Sequence, residues 1–377
     1  MTDALIDARP ADAARMRDRL HRYVRLETPS GQTPALDALL DLLEQRYAEL
    51  GARTERRAHA TGANLLAHFP GTGGRQGERP ILCLGHHDTV WPAGTLDGAV
   101  PWLERDGRIH GPGVYDMKGG LVVFETALEM LARADHRPIT MIVVADEEVG
   151  SPSARELIAE HCANAVAALG FEPPHPDGAV KTARWGSTRA RISVTGRESH
   201  AALAPEDGAS AIEELIDQLL AVRRIAAAHP DMLCNVGTIA GGGRTNVVPG
   251  EAWCEIGMRF TDTSTERTVL AALRDLSPIR PGTTVAADIL TSRPVWTDPG
   301  PGELAGTLAR AARAVGQETS GRPASGAADT NLTGSLGVPS LDGLGPVGRG
   351  AHAPDEQIVA ASLPERAALV ASLLTHL

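Results

Sequence analysis

Ile81 to Val90 reads ILCLGHHDTV, five residues without a charge followed by two imidazoles and a carboxylate. A continuous apolar run of that length is the signature of a strand buried on both faces. Open α/β sheets bind ligands beyond the carboxyl ends of their strands, so His86 and Asp88 fall where chemistry is expected. The pattern recurs. ITMIVVA (139–145) leads into Glu147 and Glu148, VAALGF (166–171) into Glu172, and VPSLDGLG (338–345) into the loop that carries His352. Between the first two runs, KGGLVVFETALEMLARA (118–134) sets Leu121, Phe124, Leu128 and Leu131 on one helical stripe, with Asp116 just ahead of it. Strands alternating with helices predict an α/β sheet, mostly parallel and covered on both sides.

Outward from this centre, helical spacing opens the chain at about 11–28 and again at 35–50, where Gly51 closes the second helix. The character changes near Trp185. RARISVTG (189–196) alternates polar and apolar residues, as a strand with one wet face does, and an amphipathic helix follows at 208–228. NVGTIAGG, EAWCEIGMRF, TERTVLAALRDL and TVAADIL complete the order β-α-β-β-α-β, a split βαβ unit of ferredoxin-like type. The predicted division is a first domain of 1–185 and 295–377 with an insertion of 186–294; the length of 377 residues already favours two domains.

Composition narrows the partners. Thirty-six Lys and Arg against 47 Asp and Glu leave a formal charge of −11, with no basic stripe to neutralise phosphates, so nucleic acid is a poor partner. The opening MTDALIDARPADAARMRDRL lacks the apolar run of a secretory signal, and no stretch reaches membrane-spanning length. A cytoplasmic protein without a membrane partner is the expectation. Cys83, Cys162, Cys234 and Cys254 are dispersed, and a disulfide framework is not expected.

The chemistry lies in five residues that sit where strands end or a helix begins: His86, Asp116, Glu148, Glu172 and His352. Imidazole and carboxylate without thiolate suit catalytic zinc, with manganese or cobalt as alternatives. One zinc does not need five protein ligands, but two ions bridged by a carboxylate use them all, as in hydrolases that activate a water between paired metals. On extended backbone Glu147 and Glu148 would point to opposite sides, so one ligates and the other faces the water as general base. His86 and Asp88, two apart, share a side, which lets Asp88 orient the imidazole.

GHHDTV, GPGVYDMKGG, DEEVGS, FEP and GAHAPDE resemble, in order and spacing, the motifs of the M-twenty metallopeptidase family. Its members include bacterial glutamate carboxypeptidase, whose branch is most similar, and aminoacylase, acetylornithine deacetylase and succinyl-diaminopimelate desuccinylase. The resemblance spans about Asn64 to the C-terminus. It implies a zinc-exopeptidase fold with two zinc ions per subunit, Asp116 bridging them, His86 and Glu172 completing one seat, Glu148 and His352 the other, and Glu147 as base. It also implies that 1–185 with 295–377 is the catalytic domain and that the insertion of 186–294 is a lid that forms a homodimer. There SHAALAPEDGASAIEEL carries His200, which reaches the partner's active site and stabilises the oxyanion, while GGRTNVVPG and EIGMRF carry Asn246 and Arg259, which hold the substrate's terminal carboxylate. Two departures stand out: AALAP where the family has Gly after the first Ala, and EIGMRF in place of an Asp-Val-Arg pattern.

The reading is therefore a carboxypeptidase-like hydrolase acting on a small peptide or N-acyl amino acid. An N-acyl-amino-acid deacylase or dipeptidase is the alternative within the class, and a non-catalytic metal-binding partner protein the alternative outside it. Lys181, Arg184 and Arg293 flank the lid boundaries, as substrate cations or as solvated surface. His68, His87, His110, His161 and His229 read as surface or loop positions, and Gly119 and Gly120 as allowing close packing at a helix start.

Overall fold

In a computed structural model, the described residues are 12–131, 134–297 and 302–377, so the first eleven residues of the charged opening segment lie outside them. The chain divides into two compact units, Met1–Ala183 with Asp298–Ala324 and Ala328–Leu377, and Arg184–Thr297 with Ser325–Ala327. Among the described residues no helix is long and apolar enough to cross a membrane.

The first unit opens with α1 (Ala13–Val24) and α2 (Thr33–Glu49). Asp12 caps α1 by accepting from the Ala14 and Arg15 amides, and Gly51, at φ 92°, takes the left-handed turn after α2. The first helix is shorter than the predicted 11–28. Its continuation is drawn away because Thr28 pairs with Thr89, whose amide donates to the Thr28 carbonyl at 2.8 Å. Then follow β1 (Arg53–Arg57), β2 (Asn64–Phe69), β3 (Ile81–His86), β4 (Leu103–Arg105), β5 (Arg108–His110), α3 (Gly119–Met130), β6 (Ile139–Val144), α4 (Arg155–Cys162), β7 (Ala167–Gly170) and β8 (Val180–Arg184).

The second unit is β9 (Gly186–Thr195), α5 (Ala211–Ala227), β10 (Leu233–Gly241), β11 (Glu251–Phe260), α6 (Thr263–Arg274) and β12 (Thr284–Arg293). The chain then continues with α7 (Glu303–Ala314), β13 (Gly321–Ala324), α8 (Thr330–Ser335), β14 (Ser340–Leu341), β15 (Gly348–Arg349), β16 (Gln357–Val359) and α9 (Ser362–His376).

The main sheet runs β1-β2-β6-β3-β7-β14, with β6, β3, β7 and β14 parallel and the β1–β2 edge antiparallel. Every residue of β3 is buried because both faces are covered. Ile81 and Cys83 join a core with residues of α1, α2, α3 and α9, whereas Leu82 and Leu84 join Leu157 and Ile158 of α4 on the other side. A polar residue in this strand has to wait for its end. The α/β class with a mostly parallel sheet is therefore the fold found.

The second unit is a four-stranded antiparallel sheet in the order β10-β11-β9-β12, the ferredoxin-like arrangement of the predicted β-α-β-β-α-β segment. Ala252, Cys254, Ile256 and Met258 of β11 are buried against α5 and α6 residues such as Leu215 and Val269, giving this unit its own core. Ser325–Ala327 joins it through Arg184, whose Nη1 donates to the Gly326 carbonyl at 2.7 Å. All four cysteines are free.

Candidate metal centre and active site

Register brings the first candidate ligands level. His86 ends β3 opposite Val144 of β6, and Leu84 stands opposite Gly170 of β7, so the residues that follow these strands emerge at one edge. His86 is buried, with Nδ1 3.0 Å from the Asp88 carbonyl and 3.3 Å from its Oδ1. That contact places a proton on Nδ1 and makes Nε2 the atom turned to the cluster.

Glu147 and Glu148 do not lie on extended backbone as expected, but on one 3-10 turn, Glu147–Val149. Its cause is Asp88, whose Oδ1 accepts from the Glu147 amide at 3.1 Å and whose Oδ2 accepts from Glu148 at 3.2 Å. Ser30 Oγ donates to the same Oδ2 at 2.6 Å. One buried carboxylate thus fixes both the imidazole and the turn bearing two further carboxylates.

Asp116 stands between two imidazoles. Its Oδ1 is 3.3 Å from His86 Nε2, and its Oδ2 is 3.4 Å from His352 Nε2. Glu172 Oε1 is 3.6 Å from His86 Nε2, and Glu148 Oε2 is 3.0 Å from His352 Nε2. Ligand atoms of His86, Glu147 and Glu172, and of His86, Asp116 and Glu148, lie within 4.8 Å of one another. His352 sits in the loop between β15 and β16 at φ 62°, a left-handed conformation that a residue other than Gly holds only under constraint.

These residues fit divalent cations. Donors bonded at about 2.0–2.2 Å around a tetrahedral zinc are roughly 3.4 Å apart, close to the spacings seen here. Burial and the neighbouring Asp116 raise Glu148, and burial with Asp116 and Glu147 raises Glu172 well above the ordinary carboxyl range. Burial also draws His86 down, but Asp116 and Asp88 outweigh it and lift the imidazole well above its ordinary value. His352 is pushed up to about 11 by Asp116 and Glu148. Four crowded carboxylates lack compensating charge, which protons on histidine supply in part and divalent ions would supply fully. Glu148 Oε1 is buried without a hydrogen-bond partner. Such an atom costs free energy unless something coordinates it.

The second unit carries the remaining predicted residues. His200 Nδ1 accepts from the Ala202 and Leu203 amides at 3.2 and 3.1 Å, so its Nε2 bears the proton. The Asn246 segment lies beside it, with the Ala201 amide bonded to the Asn246 carbonyl and His200 bridged to Val247. Arg259 is elsewhere. It pairs with Ser187 at the far end of β11, and Nη1 hydrogen-bonds Ser187 Oγ. A strand rises about 3.3 Å per residue, so nearly the whole of β11, roughly 30 Å, separates Arg259 from Asn246. Arg293 of β12 faces the same Ser187 from the other side. Burial and Arg293 together lower the Arg259 guanidinium. Arg184 is buried rather than solvated, and Lys181 pairs its backbone with Asp342 in the first unit.

His87 is not a surface residue either. Its amide extends the β3–β6 ladder to Val144, which turns the ring inward, where it is fully buried, neither nitrogen is hydrogen-bonded, and burial holds it down to about 4. His68 and His110 lie in strands and His161 in α4, all part-buried, while His229 follows α5 in a turn. Ser30 and Glu356 went unassigned in the sequence, although Glu356 closes the GAHAPDE motif.

Known proteins match along the whole length. Residues 82–376 match Peptidase family M20/M25/M40. Carboxypeptidase G2 of Pseudomonas sp. (strain RS-16) is 28% identical over 373 residues, 95% of this chain and 88% of that protein. Succinyl-diaminopimelate desuccinylase of Azoarcus sp. (strain BH72) is 31% identical over 358 residues, 87% and 90% of the two chains. Two solved structures share the fold. A Staphylococcus aureus tripeptidase aligns with TM-score 0.74 at 20% identity, covering 97% of this chain and 98% of that one. The M20 family metallo-carboxypeptidase Sso-CP2 from Sulfolobus solfataricus aligns with TM-score 0.70 at 16% identity, covering 95% and 98%. With its carboxylate and imidazole cluster at the carboxyl edge of the sheet, the chain belongs to peptidase family M20/M25/M40 and is a metal-dependent hydrolase of the metallopeptidase and amidohydrolase kind.

Proposed function

We propose that this chain is a two-zinc carboxypeptidase, hydrolysing the amide bond to a C-terminal amino acid of glutamate type in a small peptidyl or N-acyl substrate. The observation that carries the two-ion reading is Asp116, whose two oxygens face two different imidazoles. His86 and Glu172 would hold an ion on one side of it, Glu148 and His352 on the other, with cobalt and manganese as alternatives to zinc. Ions in these seats supply Lewis acidity that acidifies water and polarises the scissile carbonyl.

Side chains do the rest. Glu147 takes the proton of the attacking water and returns it to the leaving amine, its backbone anchored on Asp88. His200 presents a protonated Nε2 to the oxyanion, because its Nδ1 is occupied by two amides. Arg259 receives the terminal carboxylate through its planar fork, and Arg293, across Ser187, adds a second cation that favours a released residue with a second carboxylate. His200 and Asn246 lie at the opposite end of β11 from Arg259, so one copy cannot bring them all to one small substrate. Supplying His200 and Asn246 from a second copy makes a homodimer the working unit.

A carboxypeptidase and a desuccinylase among the named relatives leave the N-acyl deacylase reading as the alternative on the same machinery. The test is a panel of N-acyl and peptidyl substrates ending in Glu, Asp, Ala and Leu, given to protein stripped with chelator and reloaded with zinc. The expected outcome is zinc-dependent release of glutamate in preference to the others, with kcat reduced by about 10²–10⁴-fold in Glu147→Ala while metal content is kept. Selection by the acyl group would move the reading to a deacylase. Full zinc uptake without turnover of any member would count against both.

A further inference from the structure

Glu356 is fully buried, four residues beyond His352, and its carboxylate accepts four hydrogen bonds from two distant parts of the chain. Oε1 accepts from the Tyr115 and Asp116 amides at 2.9 and 3.1 Å. Oε2 accepts from the Gly113 amide at 2.9 Å and the Trp91 indole at 2.6 Å. Its own carbonyl accepts from Gly111, and its amide closes the turn after His352 by donating to Ala353. Trp91 lies five residues after His86, so one carboxylate ties together the segments that carry His86, Asp116 and His352.

We infer that Glu356 is a positioning residue for the metal centre: it sets the Asp116 carboxylate between His86 and His352 by holding the Gly113–Asp116 arc against the His352 loop. The inference rests on the two-ion reading above. A simple loop staple would need one or two such bonds at any point of the arc. Here one of the four donors is the backbone amide of Asp116 itself, and two more are within three residues of it, so a shift of the Glu356 carboxylate is passed directly to the residue whose two oxygens divide the imidazoles. Four N–H donors converge on two oxygens, an arrangement only a carboxylate can satisfy. A glutamine there sets an NH₂ group against two N–H donors whichever way it is turned.

The test is metal affinity, read on the full chain by competition with a chromophoric chelator, with the absorption spectrum of the cobalt-loaded protein as a second readout. The wild type, Glu356→Gln and Trp91→Phe are compared. The inference predicts that Glu356→Gln, folded by circular dichroism, binds zinc at least about tenfold more weakly and shows an altered cobalt band. Trp91→Phe removes one donor distant from Asp116, and less than half that loss, in logarithmic terms, is expected. A Gln variant with wild-type affinity and cobalt spectrum overturns the inference. If that variant does not fold, Glu356→Asp, whose shorter arm cannot reach both donor pairs, is read in the same way, and wild-type affinity in it is equally fatal. Failure of the wild type to bind zinc at all would instead refute the two-ion reading, and it is visible in that arm alone.

Discussion

Glu125 lies outside the candidate metal cluster and shows what burial costs a carboxylate even with two arginines beside it. It is fully buried in α3, accepts from Tyr23 Oη at 2.9 Å, and has Arg19 and Arg46 at 3.4 and 3.9 Å. Burial pushes it up to about 7, against the pull of those arginines. A raised carboxyl binds its proton more tightly in the native than in the unfolded state, so its contribution is fully present below about pH 4.5 and is lost as pH rises to about 7. The shift is worth roughly 3 kcal/mol. Glu125→Gln should therefore be more stable than wild type above pH 7, with the gap closing towards pH 4.5, in denaturant midpoints measured across that range. A gap independent of pH would contradict this. At the proposed substrate end, Arg259→Lys keeps the charge but loses the fork. It is expected to raise KM about tenfold for substrates with a free terminal carboxylate and to leave amide-blocked ones nearly unchanged. Residue types at strand ends were legible in the sequence because a charge after a buried run has few other places to be. The backbone of Glu147 and Glu148 was not, since it is set by the distant Asp88 carboxylate, and neither was the burial of His87, decided by one extra ladder bond to Val144.

At the level of elements, close approach between α3 and the segment after β7 holds Glu172 against the cluster. A Cβ on Gly120 would stand 2.0 Å from the Phe171 carbonyl oxygen, and that atom belongs to the backbone. Gly120→Ala should destabilise the protein by about 1–3 kcal/mol or more, because an overpacked backbone contact cannot relax by a rotamer change. Urea midpoints give the value directly, and a loss below about 0.5 kcal/mol would show that the helix start has slack. β3, β6, α3 and the β-α-β-β-α-β unit were readable because each buries enough surface to impose an apolar run or a period. The sheet of β15, β16, β5 and β4 was not readable, for its strands are two or three residues long and its two local pairs are joined only by β16 against β5, far apart in sequence. It carries the His352 loop and Glu356, which explains why the role of Glu356 surfaced only in three dimensions.

For the whole molecule, the separation of Arg259 from His200 and Asn246 along β11 makes the dimer a functional requirement of the proposed reaction rather than a matter of stability. Two inactive variants should then rescue each other. In a mixed dimer of Glu147→Ala with His200→Ala, one site inherits both lesions and the other neither. Random mixing makes half the dimers mixed, so about a quarter of wild-type activity should return. Activity no greater than the sum of the separate variants would place His200 in its own copy's site or in none. The central claim remains that one carboxylate serves two ions, and the most direct measurement is the zinc content of purified wild type and Asp116→Ala by elemental analysis. Two zinc ions per wild-type chain are expected, and loss of both in the variant. Wild type holding a single ion, or a folded variant that still holds two, would contradict it.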